Sequence, residues 1–99
     1  MSKHSDLQFD PNKNRTNQEK HNDIDFYEAD TVLDDPYALT IDDDGEHDGE
    51  MRYFTIGMSA KNRVLIVNWT IRDDDVRIIS SRLAEPRQRK QYESRCKTR

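Results

Sequence analysis

The sequence predicts an α+β fold with two N-terminal helices, a curved and mainly antiparallel sheet of about four strands, and a C-terminal helix. Two observations lead to this prediction. With 99 residues, of which 32% are hydrophobic, the chain suffices for one modest core. Its apolar residues follow helical spacing before Pro36 and alternate with a period of two after it. We therefore expect residues 1–99 to form one domain, with flexible ends at residues 1–6 and 96–99.

Each predicted helix has a recognisable start. Asp10-Pro11 is an N-cap followed by a first-turn proline, so a helix is predicted from there to His21. Asp25 and Glu28 have the spacing of a capping box and open a second helix. The apolar stripe of that helix is Phe26, Ala29, Val32 and Leu33, and Asp34-Asp35-Pro36 ends it. Pro86 opens a basic helix that is predicted to reach about residue 95.

Four strands are predicted after the second helix. They are a short strand through Tyr37, Leu39 and Ile41, and longer strands at about 51–58, 64–71 and 76–84. The connections at 59–63 and 72–75 have hairpin length, so the last three strands should form an antiparallel meander. In the second of these three strands the more apolar face consists of Leu65, Val67, Trp69 and Ile71. Residues 42–49 can only be an acidic loop.

The net charge of −4 conceals a strong segregation of charge. Residues 22–50 hold twelve Asp or Glu and no Lys or Arg, whereas residues 77–99 hold eight basic and two acidic residues. The basic end favours RNA as a partner, because arginine and lysine bind phosphate. The alternative is a pair of solvated surfaces of opposite sign that partly neutralise each other.

Features of a membrane or secreted protein are not predicted. No apolar run approaches the roughly 20 residues needed to span a bilayer. Residues 1–6 lack the apolar stretch of a secretory signal, and Cys96 has no second cysteine with which to form an internal disulfide. We expect a cytoplasmic protein that does not contact membranes.

The motifs disfavour several classes of catalytic or metal site. His47 lies among the carboxylates of residues 42–48 as in a loose cation site, but their spacing does not match an EF-hand, and a flexible acidic loop is the alternative. No Cys and His spacing suits structural zinc. Cys96 has no evident base beside it, and there is neither a Gly-x-Ser-x-Gly motif nor a Gly-rich phosphate loop. No metal and no cofactor is predicted.

What remains is an anion site made from side chains on separate elements. Its predicted members are Lys20, His21, Glu50, Arg52, Arg77, Ser80 and Arg82. Arg77 and Arg82 lie at the two ends of an apolar strand core. An apolar residue at either position could be buried, so arginine there indicates that the position binds an anion. Such a set suffices for RNA cleavage without metal, since the RNA 2′-hydroxyl is itself the nucleophile. The protein need only position it, move protons and stabilise charge on the phosphorane.

Four of these residues have a purely structural alternative. Lys20 and His21 can stabilise the C-terminal dipole of the first helix. Glu50 and Arg52 point the same way on a strand and can be a surface pair. These alternatives stay open at the level of sequence.

The arginine pair depends on the shape of its strand. Strict alternation places Ser80 and Arg82 on one face of the sheet and Arg77 on the other. The three can share a site only if the strand contains a bulge or the sheet curves strongly.

A longer series of motifs runs through nearly the whole chain. It consists of Phe9-Asp10-Pro11, Lys13, Asn17, Lys20-His21, Phe26, Ala29, Asp34-Asp35-Pro36, Gly49-Glu50-Met51-Arg52, Ile56-Gly57, Arg77-Ile78-Ile79-Ser80-Ser81-Arg82, Ala84 and Tyr92. In this order the series resembles the BrnT family, toxin ribonucleases of bacterial type II toxin-antitoxin systems. The resemblance implies a RelE-like fold and metal-independent RNA cleavage that inhibits translation and growth. It also implies a BrnA-like ribbon-helix-helix antitoxin, through which the complex would bind operator DNA.

Two positions depart from the pattern of that family. Such sequences commonly read Arg-Arg-Ala, with a glutamate before the tyrosine, whereas this chain has Arg82-Leu83-Ala84 and Gln88. If that glutamate moves protons or orients an arginine, this copy is slow or inactive. Leu83 is expected to remove an arginine that would extend the phosphate-binding patch.

Residue types and the resemblance together predict an RNA endonuclease. The predicted catalytic residues are His21, Glu50, Arg77, Ser80 and Arg82, and the predicted RNA-binding residues are Lys20, Arg52, Arg87, Arg89, Lys90 and Tyr92. Arg77 and Arg82 would stabilise the scissile phosphate, and either His21 or Glu50 would transfer protons. The alternative is a catalytically degenerate assembly or DNA-binding co-repressor partner. The acidic segment 22–50 is expected either to steer a basic antitoxin or only to keep the chain soluble.

Overall fold

The structure is a computed structural model and describes residues 9–45 and 47–97. Its elements are α1 (Pro11–Lys20), α2 (Phe26–Val32), β1 (Leu39–Asp43), β2 (Arg52–Met58), β3 (Val64–Arg72), β4 (Asp75–Leu83) and α3 (Pro86–Lys97). The strands form one antiparallel sheet in the order β1-β2-β3-β4, which confirms the predicted α+β fold and its meander. Helix α3 continues to Lys97, and the other expected flexible positions, residues 1–6 and 98–99, lie outside the described part of the chain.

The first two helices begin where the sequence indicates. The Asp10 carboxylate accepts a hydrogen bond from the Asn12 N–H at 2.8 Å, and the Asp25 carboxylate accepts one from the Glu28 N–H at 2.7 Å. The N–H of Phe26 at the start of α2 donates to Asn14 Oδ1 on α1 at 2.7 Å. This bond attaches the N-terminal end of α2 to the side of α1. Only half of the predicted capping box forms, because the Glu28 side chain instead binds Ser59 and Arg63 across the molecule.

The sheet has a helical layer on each face. Helices α1 and α2 lie on one face, over a core of Ile24, Phe26, Ala29, Val32, Leu65, Val67, Val76 and Ile78. Helix α3 lies over one end of the other face, where the core residues are Ile56, Val64, Ile66, Ala84 and Tyr92. The expected apolar face of β3 is therefore the face beneath α1 and α2. Its last member, Ile71, is 49% exposed because it lies beside the surface turn at 73–74.

The β3–β4 hairpin has a two-residue turn, with Arg72 paired to Asp75. Asp73 and Asp74 both have a positive φ, of 53° and 67°. A tight hairpin turn of the I′ kind requires this at both positions, and aspartate tolerates it better than most residues. None of the helices in residues 9–45 and 47–97 is long and apolar enough to cross a membrane.

Candidate active site

A bulge in β4 decides where the arginines point. Asn68 pairs with Ser80, but the next residue of β3, Trp69, pairs with Ile78, so Ile79 is an extra residue in β4. An extra residue shifts the alternation of side chains by one position. As a result Arg77, Ser80 and Arg82 lie on the same face of the sheet, which strict alternation would not allow.

The shared face can be followed from strand to strand. Residues that pair directly across an antiparallel ladder point to the same face. Arg77 pairs with Thr70, Ser80 with Asn68 and Arg82 with Ile66, and Thr70 also pairs with Arg52 on β2. We call this surface the arginine face and define it by Arg52, Asn68, Thr70, Arg77, Ser80 and Arg82. It is the face whose far end is covered by α3.

Asn17 of α1 holds the strand just after the bulge. The Ser81 N–H donates to Asn17 Oδ1 at 3.0 Å, and Asn17 Nδ2 donates to the Ile24 carbonyl at 2.9 Å. Asn17 is only 5% exposed, so both hydrogen bonds are shielded from water. In the sequence Asn17 is notable as a member of the BrnT-like series of motifs, and the structure shows that its side chain is buried against β4.

Arg82 and Gln88 line one cleft between the arginine face and α3. This cleft has a volume of about 220 Å³, and its other lining residues are Ile41, Phe54, Ile56 and Ile66. Gln88 Oε1 accepts a hydrogen bond from the Glu85 N–H at 2.9 Å and so caps the start of α3. The position that departs from the family pattern is therefore next to Arg82, and it carries an amide in place of a carboxylate.

Leu83 does not face the same way as Arg82. It pairs with Leu65 and packs against the core beneath α1 and α2. An arginine at position 83 would thus point into or beside that core, and it would not extend the arginine face. The expectation that Leu83 weakens the phosphate patch is corrected by this orientation.

Glu50 connects two arginines at one side of the arginine face. Its Oε1 lies 3.1 Å from Arg52 Nε and its Oε2 lies 2.7 Å from Arg72 Nη2. The hydrogen bonds from Arg72 and Arg52 hold the pKa of Glu50 below its usual range. A carboxylate that is stabilised in this way is a weak proton acceptor, so the surface-pair interpretation fits Glu50 better than proton transfer. The ion pairs at Glu28 and Glu50 engage Arg52, Arg63 and Arg72, and include neither Arg77 nor Arg82.

Lys20 and His21 line a different cleft, between α1 and the β4 edge. Its volume is about 300 Å³, and its lining residues are Asn12, Lys13, Thr16, Asn17, Lys20, His21, Ile79 and Ser80. His21 is the C-cap of α1, with its N–H donating to the Asn17 carbonyl. The predicted catalytic residue Ser80 lines this cleft and also belongs to the arginine face. The structure therefore brings together Arg77, Ser80, Arg82 and Arg52, and it places Lys20 and His21 beside them at the sheet edge.

The predicted RNA-binding residues of α3 divide into two groups. Arg87, Arg89 and Lys90 are exposed on the helix surface. Tyr92 is only 4% exposed, and its hydroxyl donates to Asp35 Oδ2 at 2.5 Å. Its ring is part of the core and is not available to stack on a base, so the structure gives Tyr92 a different role from the predicted one.

The structure adds a pair that the sequence-based site did not include. His47 Nε2 lies 3.2 Å from Asp43 Oδ1. Asp43 pairs with Arg52 across the ladder, and its Oδ2 lies 3.4 Å from Asn68 Nδ2. The signal in the sequence is a histidine within an acidic run, which we interpret from the sequence either as a loose cation site or as a flexible acidic loop. Among the described residues no group of three or more His, Cys, Asp or Glu side chains could hold a metal ion.

Comparison with known protein families identifies a match that covers most of the chain. Residues 9–88 match the family model described as the ribonuclease toxin BrnT of type II toxin-antitoxin systems. The matched range includes the bulged strand, both clefts and Gln88. No curated protein matches the chain.

Proposed function

The chain belongs to the BrnT family of type II toxin-antitoxin ribonuclease toxins, and we propose on this premise that it is an RNA endonuclease that needs no metal ion. It would act in the cytoplasm and inhibit translation and growth. The single observation that carries the proposal is the shared orientation of Arg77, Ser80 and Arg82, which the bulge at Ile79 produces.

Two guanidinium groups on one face suit a phosphodiester. Arginine stays protonated at all relevant pH values and presents a planar fork of donors that matches phosphate oxygens. Arg77 and Arg82 are separated by Ser80 on the same face, so they can bind the phosphate and its neighbour along an RNA strand. During cleavage the phosphorane gains negative charge, and fixed cations stabilise that charge more than they stabilise the ground state.

The RNA supplies the nucleophile. The 2′-oxygen attacks phosphorus, the bond from phosphorus to the 5′-oxygen breaks, and a 2′,3′-cyclic phosphate and a 5′-hydroxyl result. The reaction needs one group that accepts the 2′-proton and a proton for the 5′-oxygen, but no Lewis acid is required. Arginines cannot accept this proton, so their role is binding and charge stabilisation.

Further basic side chains would extend the RNA path. Lys20 lies at the edge of β4, while Arg52 lies on the arginine face. Arg87, Arg89 and Lys90 are exposed on α3, beyond the Arg82 cleft. We assign these five residues to backbone contacts, which add affinity without selecting a base sequence.

The family implies a protein antitoxin as partner. We propose that this partner is a BrnA-like ribbon-helix-helix protein and that the complex reaches operator DNA through it. The support from this chain is its acidic segment, because twelve carboxylates in residues 22–50 would attract a basic partner.

The test is cleavage of a defined single-stranded RNA by the purified protein in excess EDTA. We expect wild type to cleave, and Arg77→Ala and Arg82→Ala each to lose most of that activity. Arg15→Ala is the matched control, because Arg15 is an exposed arginine on α1 whose guanidinium donates to Asn12 Oδ1 in the same helix. Cleavage that persists equally in all variants would indicate a contaminating nuclease or a different site. No cleavage by wild type would contradict the proposal.

A second candidate function is favoured by Gln88. A glutamine beside Arg82 cannot exchange a proton as a glutamate can, so the chain can be a degenerate toxin that only assembles with its antitoxin. The variant Gln88→Glu separates the two candidates. Activity that appears only in Gln88→Glu would establish the degenerate form, and equal activity in both proteins would exclude it.

A further inference from the structure

We propose that the Arg82 cleft binds the base of one RNA nucleotide, beside the phosphate that Arg82 holds. The Arg82 cleft is the cavity of about 220 Å³ between the arginine face and α3, lined by Arg82, Gln88 and four apolar side chains. The inference rests on the proposed function, in which Arg82 binds RNA phosphate, and deepens it, because it names the part of the substrate that this cleft takes.

The strand register places the cleft directly beside the phosphate-binding residues. Residues that pair across the sheet point to the same face and form rows that run across the strands. Two such rows on the arginine face are Ser80, Asn68, Phe54 and Ile41, and Arg82, Ile66 and Ile56. The apolar lining of the cleft therefore continues the rows in which Ser80 and Arg82 lie. Since Arg82 belongs to both surfaces, a phosphate bound by its guanidinium would lie at the border of the cleft.

The lining of the cleft is mostly apolar. Ile56 and Ile66 are buried, Phe54 is partly buried and Ile41 is 49% exposed. Sites for small ligands typically combine such a lining with a few polar groups that fix the orientation of the ligand. The volume of about 220 Å³ is below the roughly 300 Å³ at which pockets for drug-sized ligands begin. The cleft therefore suits one flat base and is too small for a whole nucleotide.

The two polar residues of the cleft offer hydrogen-bond donors. Gln88 Oε1 accepts from the Glu85 N–H at 2.9 Å, and this bond leaves the two N–H donors of Nε2 for another partner. Arg82 Nη1 lies 3.4 Å from the Leu83 carbonyl oxygen, which is a long hydrogen bond, and the guanidinium has further donors for a phosphate. The edges of nucleobases carry nitrogen and oxygen acceptors. One nucleotide thus offers a partner to Gln88 through its base and to Arg82 through its phosphate.

The aromatic ring of Phe54 favours a base over a protein side chain as the occupant. Proteins that bind single-stranded RNA commonly stack its bases on aromatic side chains. An apolar side chain of a protein partner could also fill the cleft, but it would cover Gln88 and Arg82 without pairing with their donors. Covered donors that lack a partner cost free energy. A nucleotide avoids this cost.

The test measures binding of single-stranded 2′-fluoro RNA, which lacks the 2′-hydroxyl nucleophile and therefore cannot be cleaved by the proposed reaction. The oligomers are just long enough to cross the arginine face, which limits the registers in which they bind. Each nucleotide in turn is replaced by an abasic one, which keeps its sugar and phosphate. We expect wild type to bind about 10-fold more weakly when one particular base is missing, the usual order for loss of one base–aromatic stack. Fluorescence anisotropy measures the dissociation constants, and we call their ratio, abasic to intact, the abasic penalty.

Ile41→Ser and its matched control Ile71→Ser separate the cleft from the rest of the sheet. Both isoleucines are strand residues that are 49% exposed. Ile41 lines the Arg82 cleft, whereas Ile71 lies on the opposite face of the sheet. We expect the affinity for the intact oligomer and the abasic penalty to fall in Ile41→Ser and to be unchanged in Ile71→Ser. Phe54→Leu, which keeps apolar bulk but removes the ring, should also lower the penalty. The penalty is a ratio measured on one protein, so it does not depend on the fraction that is folded.

Gln88→Glu tests the amide of Gln88 separately. A glutamate keeps an oxygen for the Glu85 N–H but replaces the donors of Nε2 with a second acceptor. We expect the relative affinities for the four bases at the sensitive position to change, whereas the added negative charge weakens binding of all four alike. Relative affinities identical to those of wild type would contradict the role of Gln88.

The outcomes separate the inference from the function beneath it. If no missing base weakens binding, or if Ile41→Ser leaves the abasic penalty unchanged, the inference is overturned whether or not the protein cleaves RNA. If the penalty depends on Ile41 but ordinary RNA is not cleaved, the proposed cleavage fails and the base-binding assignment stands. If Ile41→Ser and Phe54→Leu weaken binding of the antitoxin but not of RNA, the cleft is a docking site for protein, and the inference is overturned.

Discussion

At the residue scale, Glu28 on α2 is a buried charge that several hydrogen bonds hold in place. Glu28 is only 4% exposed. Its Oε2 accepts hydrogen bonds from Ser59 Oγ at 2.7 Å and from Arg63 Nε at 2.9 Å. Its Oε1 accepts a further bond from Arg63 Nη2. Burial works to raise the pKa of Glu28, but the bonds from Arg63 and Ser59 outweigh burial and lower it. The pair therefore fixes α2 to the β2–β3 hairpin through an ionised carboxylate.

The pH dependence of stability should show this pair. Because folding lowers the pKa of Glu28, its contribution is present above the usual glutamate value of about 4.3 and is lost as the pH falls through the lower folded-state value. We expect wild type to be more stable than Glu28→Gln at pH 7, and we expect this difference in the free energy of unfolding to shrink in acid. Urea denaturation at the two pH values measures it. Arg63→Met should destabilise by about 3 kcal/mol at pH 7, since it leaves a buried carboxylate unpaired.

A difference between wild type and Glu28→Gln that does not change with pH would contradict the ionised state of Glu28. Lys61→Met is a suitable control for Arg63→Met, because Lys61 is an exposed cation in the same hairpin. Its stability change should be small.

Single residues also show where sequence reasoning stops. The caps at Asp10 and Asp25 were predictable because their partners lie two and three residues away. The role of Asn17 was not, because its partner Ser81 is 64 residues further along the chain. His47 was noticed in the sequence, but only the fold shows that its Nε2 lies 3.2 Å from Asp43 Oδ1.

At the element scale, β4 and α3 differ most from their sequence-based description. The bulge was recognised as a requirement for a shared arginine site, yet nothing in Ile78-Ile79 distinguishes a bulge from a regular strand. Isoleucine is an ordinary strand residue, and the extra residue becomes visible only in the register with β3. The order of elements was predictable, since prolines and acidic caps punctuate the chain locally.

Helix α3 is attached through Tyr92 and Asp35. Asp35 Oδ2 accepts from the Tyr92 hydroxyl at 2.5 Å and from the Met58 N–H at 2.8 Å, while Oδ1 accepts from the Tyr37 N–H at 3.0 Å. Burial and the nearby Asp35 carboxylate raise the pKa of Tyr92, so it remains a hydrogen-bond donor. One carboxylate thus joins the end of α2, the start of β1, strand β2 and α3.

Tyr92→Phe tests whether this residue acts through folding or through RNA. We expect a loss of about 2 kcal/mol in the free energy of unfolding, the usual value for a hydrogen bond to a charged group. The KM for RNA should be unchanged, because the ring is buried. Thermal or urea denaturation measures the first quantity and steady-state cleavage the second. A higher KM without a loss of stability would restore Tyr92 as an RNA contact.

At the scale of the whole molecule, charge segregation along the chain becomes segregation between elements. The acidic segment 22–50 contains α2, β1 and the loop that follows, whereas the basic residues 77–99 contain most of β4 and all of α3. This arrangement could be predicted from the sequence, because it needs only the positions of the charged residues and the order of the elements.

Salt dependence should distinguish steering from simple solvation. If the acidic segment attracts the antitoxin, the association rate constant should fall steeply with ionic strength, because exposed charges are screened. The association rate constant should also be lower for the double variant Asp42→Asn/Asp44→Asn, because it removes two exposed negative charges. Glu93→Gln, an exposed acidic position on α3, is the control and should leave the rate unchanged. Stopped-flow mixing with the purified antitoxin measures these rates, and an association rate independent of salt would contradict steering.

The bulge at Ile79 also limits aggregation of this protein through its exposed sheet edge. Strand β4 is an edge of the sheet, and a regular edge offers a row of free N–H and carbonyl groups on which another strand can grow. Here the row is interrupted at Ile79, and the next outward N–H, that of Ser81, is already occupied by Asn17. The irregularity that turns the arginines toward one face therefore also protects the exposed edge against aggregation.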